Sequence, residues 1–161
     1  MTRYLGVLVV ILAVLGGGPA SAAEIAWTMR LTVEQAASTT ADAQAQRNVG
    51  VVAIAGPAEI AGETAKASVM VLYDYANGTG PWQSYMTVTF DDGSILTTYG
   101  NGLTVADAEG RNSHFDGSLI VVSGTGRFEG TRGTGTMAGA RVEQLGDAVQ
   151  IDYTITLRLD D

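Results

Sequence analysis

The stretch Ala148–Leu159 constrains this chain more than any other. Val149, Ile151, Tyr153, Ile155, Leu157 and Leu159 alternate with Gln150, Asp152, Thr154, Thr156 and Arg158. A period of two places one set on a buried face and the other in water, so the segment reads as a half-buried strand. Ile25–Val33 repeats the pattern, with Ile25, Trp27, Met29, Leu31 and Val33 opposing Ala26, Thr28, Arg30 and Thr32. In Gln83–Asp91, Met86, Val88 and Phe90 face one way and Tyr85, Thr87 and Thr89 the other. No segment holds a 3.6-residue period, so a helical fold is excluded as the main architecture.

Further apolar runs rich in β-branched residues are Val49–Ala55, Lys66–Tyr75, Ser94–Tyr99 and Leu119–Val122. Turn chemistry separates the runs. Gly56-Pro57 and Gly62 divide the first two, Asn77-Gly78-Thr79-Gly80-Pro81 follows Tyr75, and Asp92-Gly93 is a two-residue hairpin signal. Glu34–Asn48 has no apolar face and reads as a loop or a poor helix that buries little. Gly100–Gly110 is polar and punctuated by glycine. Roughly eight short strands between turns predict an all-β fold, a single antiparallel closed barrel or a sandwich.

Residues 1–22 read as an address. Arg3 precedes the apolar run Leu5–Leu15, Gly16-Gly17-Gly18-Pro19 breaks it, and Ala20-Ser21-Ala22 offers small residues to a signal peptidase. Cleavage falls after Ala22, with Ala23 the neighbouring alternative. The run is too short to span a bilayer, which takes about 20 apolar residues. The expectation is an exported protein, periplasmic or secreted, with residues 23–161 as one domain and no membrane span in the mature chain. The Arg-over-Lys bias and the abundance of Ala and Gly give the sequence a bacterial look. The chain has no cysteine, so an exported form is stable without disulfides. Barrel closure suits that, because it leaves no exposed strand edge. A net charge of −8 argues against a nucleic-acid partner held through phosphates.

No catalytic motif stands out. His114 is the sole histidine, with Ser113, Asp116 and Ser118 beside it. Adjacent residues do not make triad geometry, and a solvated loop histidine is the plainer reading. One histidine without cysteine makes a zinc site untenable, and no metal or cofactor is expected. Asp91-Asp92 sits at a strand end, where Asp92 is a turn former. Asp107, Glu109 and Asn112 match no calcium loop. Arg30 and Asp152 share the polar faces of two strands and are placed to pair across the sheet.

The stretch Ser123–Thr136 is more specific. It carries Gly124, Gly126, Gly130, Gly133 and Gly135, with Phe128 as its one bulky apolar side chain. It reads as a structural turn lifting off the strand at Leu119–Val122, with Phe128 as a plug beneath it. It lacks the Gly-Lys-Ser/Thr of a phosphate loop and the following helix of a dinucleotide site. The run GTGRFEGTRGTGTMAGARV resembles the G-x-G-x-F-x-G-x-x-G-x-G segment of allene oxide cyclase-like and dirigent-like barrel proteins. Phe90-Asp91-Asp92-Gly93-Ser94 is similar to the F-x-D-G-S hairpin of bacterial members, and Asp74–Gly80 extends the likeness. The resemblance covers residues 70–159, more weakly from Val49. It implies an eight-stranded antiparallel, calycin-like barrel with an apolar cavity, assembled as a dimer or trimer. It transfers no catalytic residue, because the polar groups of the plant cyclases lie outside the matched motifs.

Trp27, Tyr73, Tyr75, Phe90 and Tyr153 fall on the apolar faces of their strands, so in a closed barrel they point inward. Trp82 and Tyr85, beside Gly80-Pro81, are expected near a barrel mouth or on a subunit contact. Three readings follow. The first is an exported barrel binding a small apolar molecule in its lumen, lined by those five aromatics. The second is a structural, oligomer-forming module with a filled core and an outer apolar patch that includes Met70, Leu72 and Ile120. The third is a shape-guided cyclase or coupling enzyme, needing a polar group deep in the lumen.

Overall fold

The computed structural model describes residues 23–160. The segment read as a signal sequence, Ala22 included, lies outside the described residues, and Ala23 opens the first strand. Eight strands follow in order: β1 (Ala23–Asp42), β2 (Arg47–Ile60), β3 (Glu63–Ala76), β4 (Gly80–Phe90), β5 (Ile95–Ala106), β6 (Ser113–Thr125), β7 (Arg132–Arg141) and β8 (Gln150–Asp160). Each pairs antiparallel with the next, and β8 closes on β1 from Ala23↔Leu159 to Thr32↔Gln150. The result is a closed barrel in which every strand has two neighbours.

The turns obey the local chemistry. Asn77 and Gly78 take φ of 47° and 75° between β3 and β4, the pattern of a tight hairpin turn that needs left-handed backbone twice. Ala61 and Gly62 do the same between β2 and β3. In the β4–β5 turn Gly93 takes φ 82°, and Asp92 Oδ1 accepts the Ser94 amide at 2.8 Å.

Four sequence readings change. First, Glu34–Asp42 is strand. Its side chains are mostly exposed, as its composition implies, but its backbone pairs with β2 out to Asp42↔Arg47. Ladder hydrogen bonds hold it where burial does not, and the turn shrinks to residues 43–46. Second, Gly56-Pro57 does not break the chain. Pro57 lies in β2 past the last β1–β2 pair, Thr32↔Ala55, where a missing donor is tolerated. Third, the polar stretch from Gly100 continues β5 to Ala106, and the short strand at Leu119–Val122 is the middle of β6. Fourth, Gly124, Gly133 and Gly135 do not belong to the turn. Gly124 lies within β6 and the other two within β7, and the turn itself is a short 3-10 segment, Gly126–Phe128, with left-handed backbone at Gly126 and Gly130. A side chain at Gly135 would meet Leu157 Cδ2 at 2.7 Å, so the glycine makes room for a core leucine.

The same device recurs inside the barrel. Trp82 covers Gly102 and Gly117, Tyr73 covers Gly50, and Phe115 covers Gly139. Each ring fills the space a side chain on another strand, one or two places round the barrel, would need. Large and small residues thereby interdigitate across an interior otherwise packed by fully buried residues such as Leu31, Ile155 and Leu157. Outside, Arg30 and Asp152 form a bidentate pair at 2.6 and 2.9 Å across β1 and β8.

Candidate functional site

The two ends of the barrel differ. One end carries the turns after β2, β4 and β6. There Phe128 is buried against Phe90, with ring centroids 5.2 Å apart, and Arg127 lies over the Phe90 ring at 4.4 Å. At that end the two rings close the interior.

The other end carries the loops after β1, β3, β5 and β7, and it is open as a polar cup of about 250 Å³. Its wall includes Ser38, Gln46, Asn48, Asn77, Tyr73 and Gln144. The rim is cross-tied. The Asn77 amide donates to the Gln46 carbonyl at 3.1 Å, and its side-chain Nδ2 donates to the Ala108 carbonyl at 2.9 Å. Asp107 accepts the Arg111 and Asn112 amides at 2.7 and 3.1 Å, which holds its carboxyl below the ordinary carboxylate value. Asp147 Oδ1 accepts the Ala36 amide at 2.7 Å, fastening loop 142–149 to β1. A rim joined in this way is set before any ligand arrives.

Beneath the cup lies a small apolar chamber of about 30 Å³, bordered by Trp82, Phe115, Met137, Ile151 and Tyr153 among others. A water needs roughly 10–15 Å³, so the chamber takes one or two waters and no more. The deep lumen is therefore filled. Tyr75, Arg141 and Leu145 border both spaces and form the partition between them.

Arg141 is the unusual member. It ends β7 on the inward face and is only 5% exposed. Its Nε donates to the Glu143 carbonyl at 3.1 Å. The described residues form ion pairs at Arg30–Asp152, Arg47–Asp74, Arg127–Glu63 and Arg127–Asp92, and none of these includes Arg141. Burial lowers its pKa, and the phenols of Tyr75, Tyr153 and Tyr73 act against that shift. Tyr75 and Tyr73 stack with centroids 4.6 Å apart, and Tyr75 Oη shares a buried 2.8 Å hydrogen bond with Thr104 Oγ1. Burial pushes the phenols of Tyr75 and Tyr153 up, so both stay neutral.

All five aromatics expected on the inner face are buried. Tyr73, Tyr75 and Tyr153 converge at the cup and chamber, whereas Phe90 is at the plugged end and Trp27 borders neither space. Trp82 is buried near the cup end of β4 and borders the chamber beneath the cup, and Tyr85 is on the outer wall. His114 is exposed on strand β6 and stands apart from both spaces. Asp92 caps its turn. Sequence reasoning missed Arg141, Thr104 and Phe115. A signal for Arg141 was present: Gly133, Gly135, Met137 and Gly139 precede it at period two, opposite a face of Thr and Ala.

No family model matches the chain, and no curated protein is a detectable relative. Function must therefore be argued from the site.

Proposed function

We propose that this protein is a small-molecule-binding barrel whose ligand sits in the mouth cup, and that it works after export. The observation that carries the reading is the cup itself, a cross-tied polar concavity of about 250 Å³ over a packed barrel. Ligand sites are concave, largely preformed and supplied with a few convergent polar groups, often at barrel mouths. The site moves from the deep lumen to the mouth because a chamber of about 30 Å³ admits no organic molecule. Kinship with allene oxide cyclase-like and dirigent-like barrels belongs to this proposal, and an eight-stranded closed barrel is consistent with it. Activity does not follow from such kinship. The enzyme reading is weaker, because the described lining of both spaces contains no carboxylate or histidine to act as a base.

The test uses protein isolated from its own source. Native mass spectrometry should find an extra mass that leaves on denaturation, and Ser38→Trp, which fills the cup from β1, should exclude it. Bare wild-type protein whose melting temperature also fails to respond to a metabolite extract of that source overturns the reading.

A second reading, self-association, has its own support. Ala53, Met70, Tyr85, Tyr99 and Ile120 lie directly opposite one another across β2 to β6, and Val51 and Leu72 lie in the next row. Met70 is 52% exposed and Tyr85 50%. In a chain of net charge −8, copies repel unless they meet on a neutral face, and this apolar band is one. A second copy of the same chain is the occupant it suits.

A further inference from the structure

Resting on the reading of the cup as a ligand site, we propose that Arg141 makes it specific for a small organic acid. The acid's carboxylate pairs with the guanidinium, and its apolar part lies against Tyr73, Tyr75 and Leu145.

A cation removed from water without a counter-ion is strongly destabilising, so buried arginines are nearly always paired. Arg141 is buried and has no carboxylate within ion-pair distance among the described residues. The acidic groups nearest in sequence and across the rim are engaged elsewhere. Asp147 accepts the Ala36 amide, Asp74 pairs with Arg47, and Asp107 accepts the Arg111 and Asn112 amides. Glu143 offers Arg141 its main-chain carbonyl, and its side chain is exposed. What faces the guanidinium is the phenols of Tyr75, Tyr153 and Tyr73 and the cup.

Among the described residues Arg141 is also the one charged side chain lining the cup, whose other polar groups are hydroxyls and amides. A planar guanidinium takes a carboxylate through two parallel hydrogen bonds. Its Nε is already committed to Glu143, which fixes the plane of the fork. The field of a chain with net charge −8 disfavours a dianion and leaves a monoanion tolerable once paired. Tyr73 and Tyr75, stacked at the partition, provide a flat apolar wall beside the charge.

Benzoate and its uncharged analogue benzamide are the probes, titrated into isotope-labelled protein and followed by NMR. Benzoate should shift the amides of Gly78, Gly110 and Gln144 and the Arg141 Nε–H signal, with affinity at least about tenfold above benzamide. Arg141→Met should erase that preference, and Arg141→Lys should retain part of it. Because Met fills the same path without a charge, Arg141→Met should also raise the melting temperature of the ligand-free protein. A residue kept for structure would lower it. The Arg141 Nε–H signal needs no variant and reports even if Arg141→Met fails to fold. Equal binding of the two probes, or a benzoate preference that survives in Arg141→Met, overturns the anion claim and leaves the cup standing. If neither probe binds and protein from its own source retains a neutral molecule, the anion claim also falls alone. If neither binds and that protein is bare, the cup reading falls with it.

Discussion

Trp82 Cη2 lies 2.7 Å from the position a Cβ on Gly117 would occupy, so the indole of β4 fills a side-chain site on β6 two strands away. The ring reaches across β5, where it also covers Gly102. Its edge meets Phe115, which in turn meets Tyr153, with centroids 6.2 and 5.3 Å apart. The filled lumen depends on these pairings of ring and glycine. Gly117→Ala should therefore cost at least about 1–3 kcal/mol, the usual penalty of overpacking, because its Cβ presses on the Asn101 main-chain carbonyl as well as on the ring. Urea denaturation measures it, and the near-ultraviolet circular dichroism of the indole should change with it.

This pairing explains how far the fold was legible in the sequence. Alternation in β1, β4 and β8 fixes which side chains face in, and those assignments hold for Trp27, Met86 and Tyr153. Glu34–Asp42 was not legible as strand, because hydrogen bonding to β2 leaves no mark on side-chain type. Nor were Gly133 and Gly135 legible as strand residues, since a glycine that admits a neighbour's leucine looks like a glycine in a turn. Tyr73, Tyr75 and Tyr153 were found as inward aromatics. Their convergence on Arg141 was not, because it depends on the register between β3, β7 and β8.

The plugged end gives an independent prediction. Phe128 is buried against Phe90, at the end of the barrel opposite the cup. Phe128→Ala should destabilise the protein by about 3–5 kcal/mol. Ligand affinity measured well below the new melting temperature should stay unchanged. An unaltered melting temperature would show that the plug contributes nothing.

Tyr75 and Thr104 share a buried hydrogen bond at 2.8 Å beneath the cup. Thr104→Val removes the 2.8 Å partner of the Tyr75 hydroxyl, leaving it only the Arg141 guanidinium, and should cost about 1–3 kcal/mol. Adding Tyr75→Phe removes the hydroxyl itself, so the double variant should lose less than the sum of the two single changes. Denaturant midpoints for the four proteins give the coupling energy.

Asp107 ties loop 107–112, whose Gly110 lines the cup. Donation from the Arg111 amide is the largest cause of its lowered pKa; desolvation opposes it, and the Asn112 side chain and amide add to the lowering. The folded value lies below the ordinary 3.8, so the tie is at full strength above pH 3.8 and weakens as pH falls through the folded value. Hydrogen exchange at the Arg111 and Asn112 amides should accelerate over that acid window relative to the barrel strands. Asp107→Ala should show the faster exchange already at neutral pH. Equal exchange in the variant and the wild type would remove the carboxylate from the rim's support.

The outer band supplies the last test. Tyr85 and Tyr99 lie opposite each other on β4 and β5 with ring centroids 5.3 Å apart, flanked by Met70 and Ile120. A face of this kind in contact with a second copy excludes water from both tyrosines and cannot accept a charge without a partner. Tyr85→Glu should then shift sedimentation from oligomer to monomer at micromolar protein, with the circular dichroism of the barrel unchanged, because Tyr85 points to solvent in the single chain. Raising salt should strengthen association of the wild type by screening the repulsion between copies of net charge −8. Wild-type protein that sediments as a monomer at every concentration and salt level would rule out the band as a self-contact. The cup, at the end of the barrel rather than on its wall, is open to ligand with either outcome.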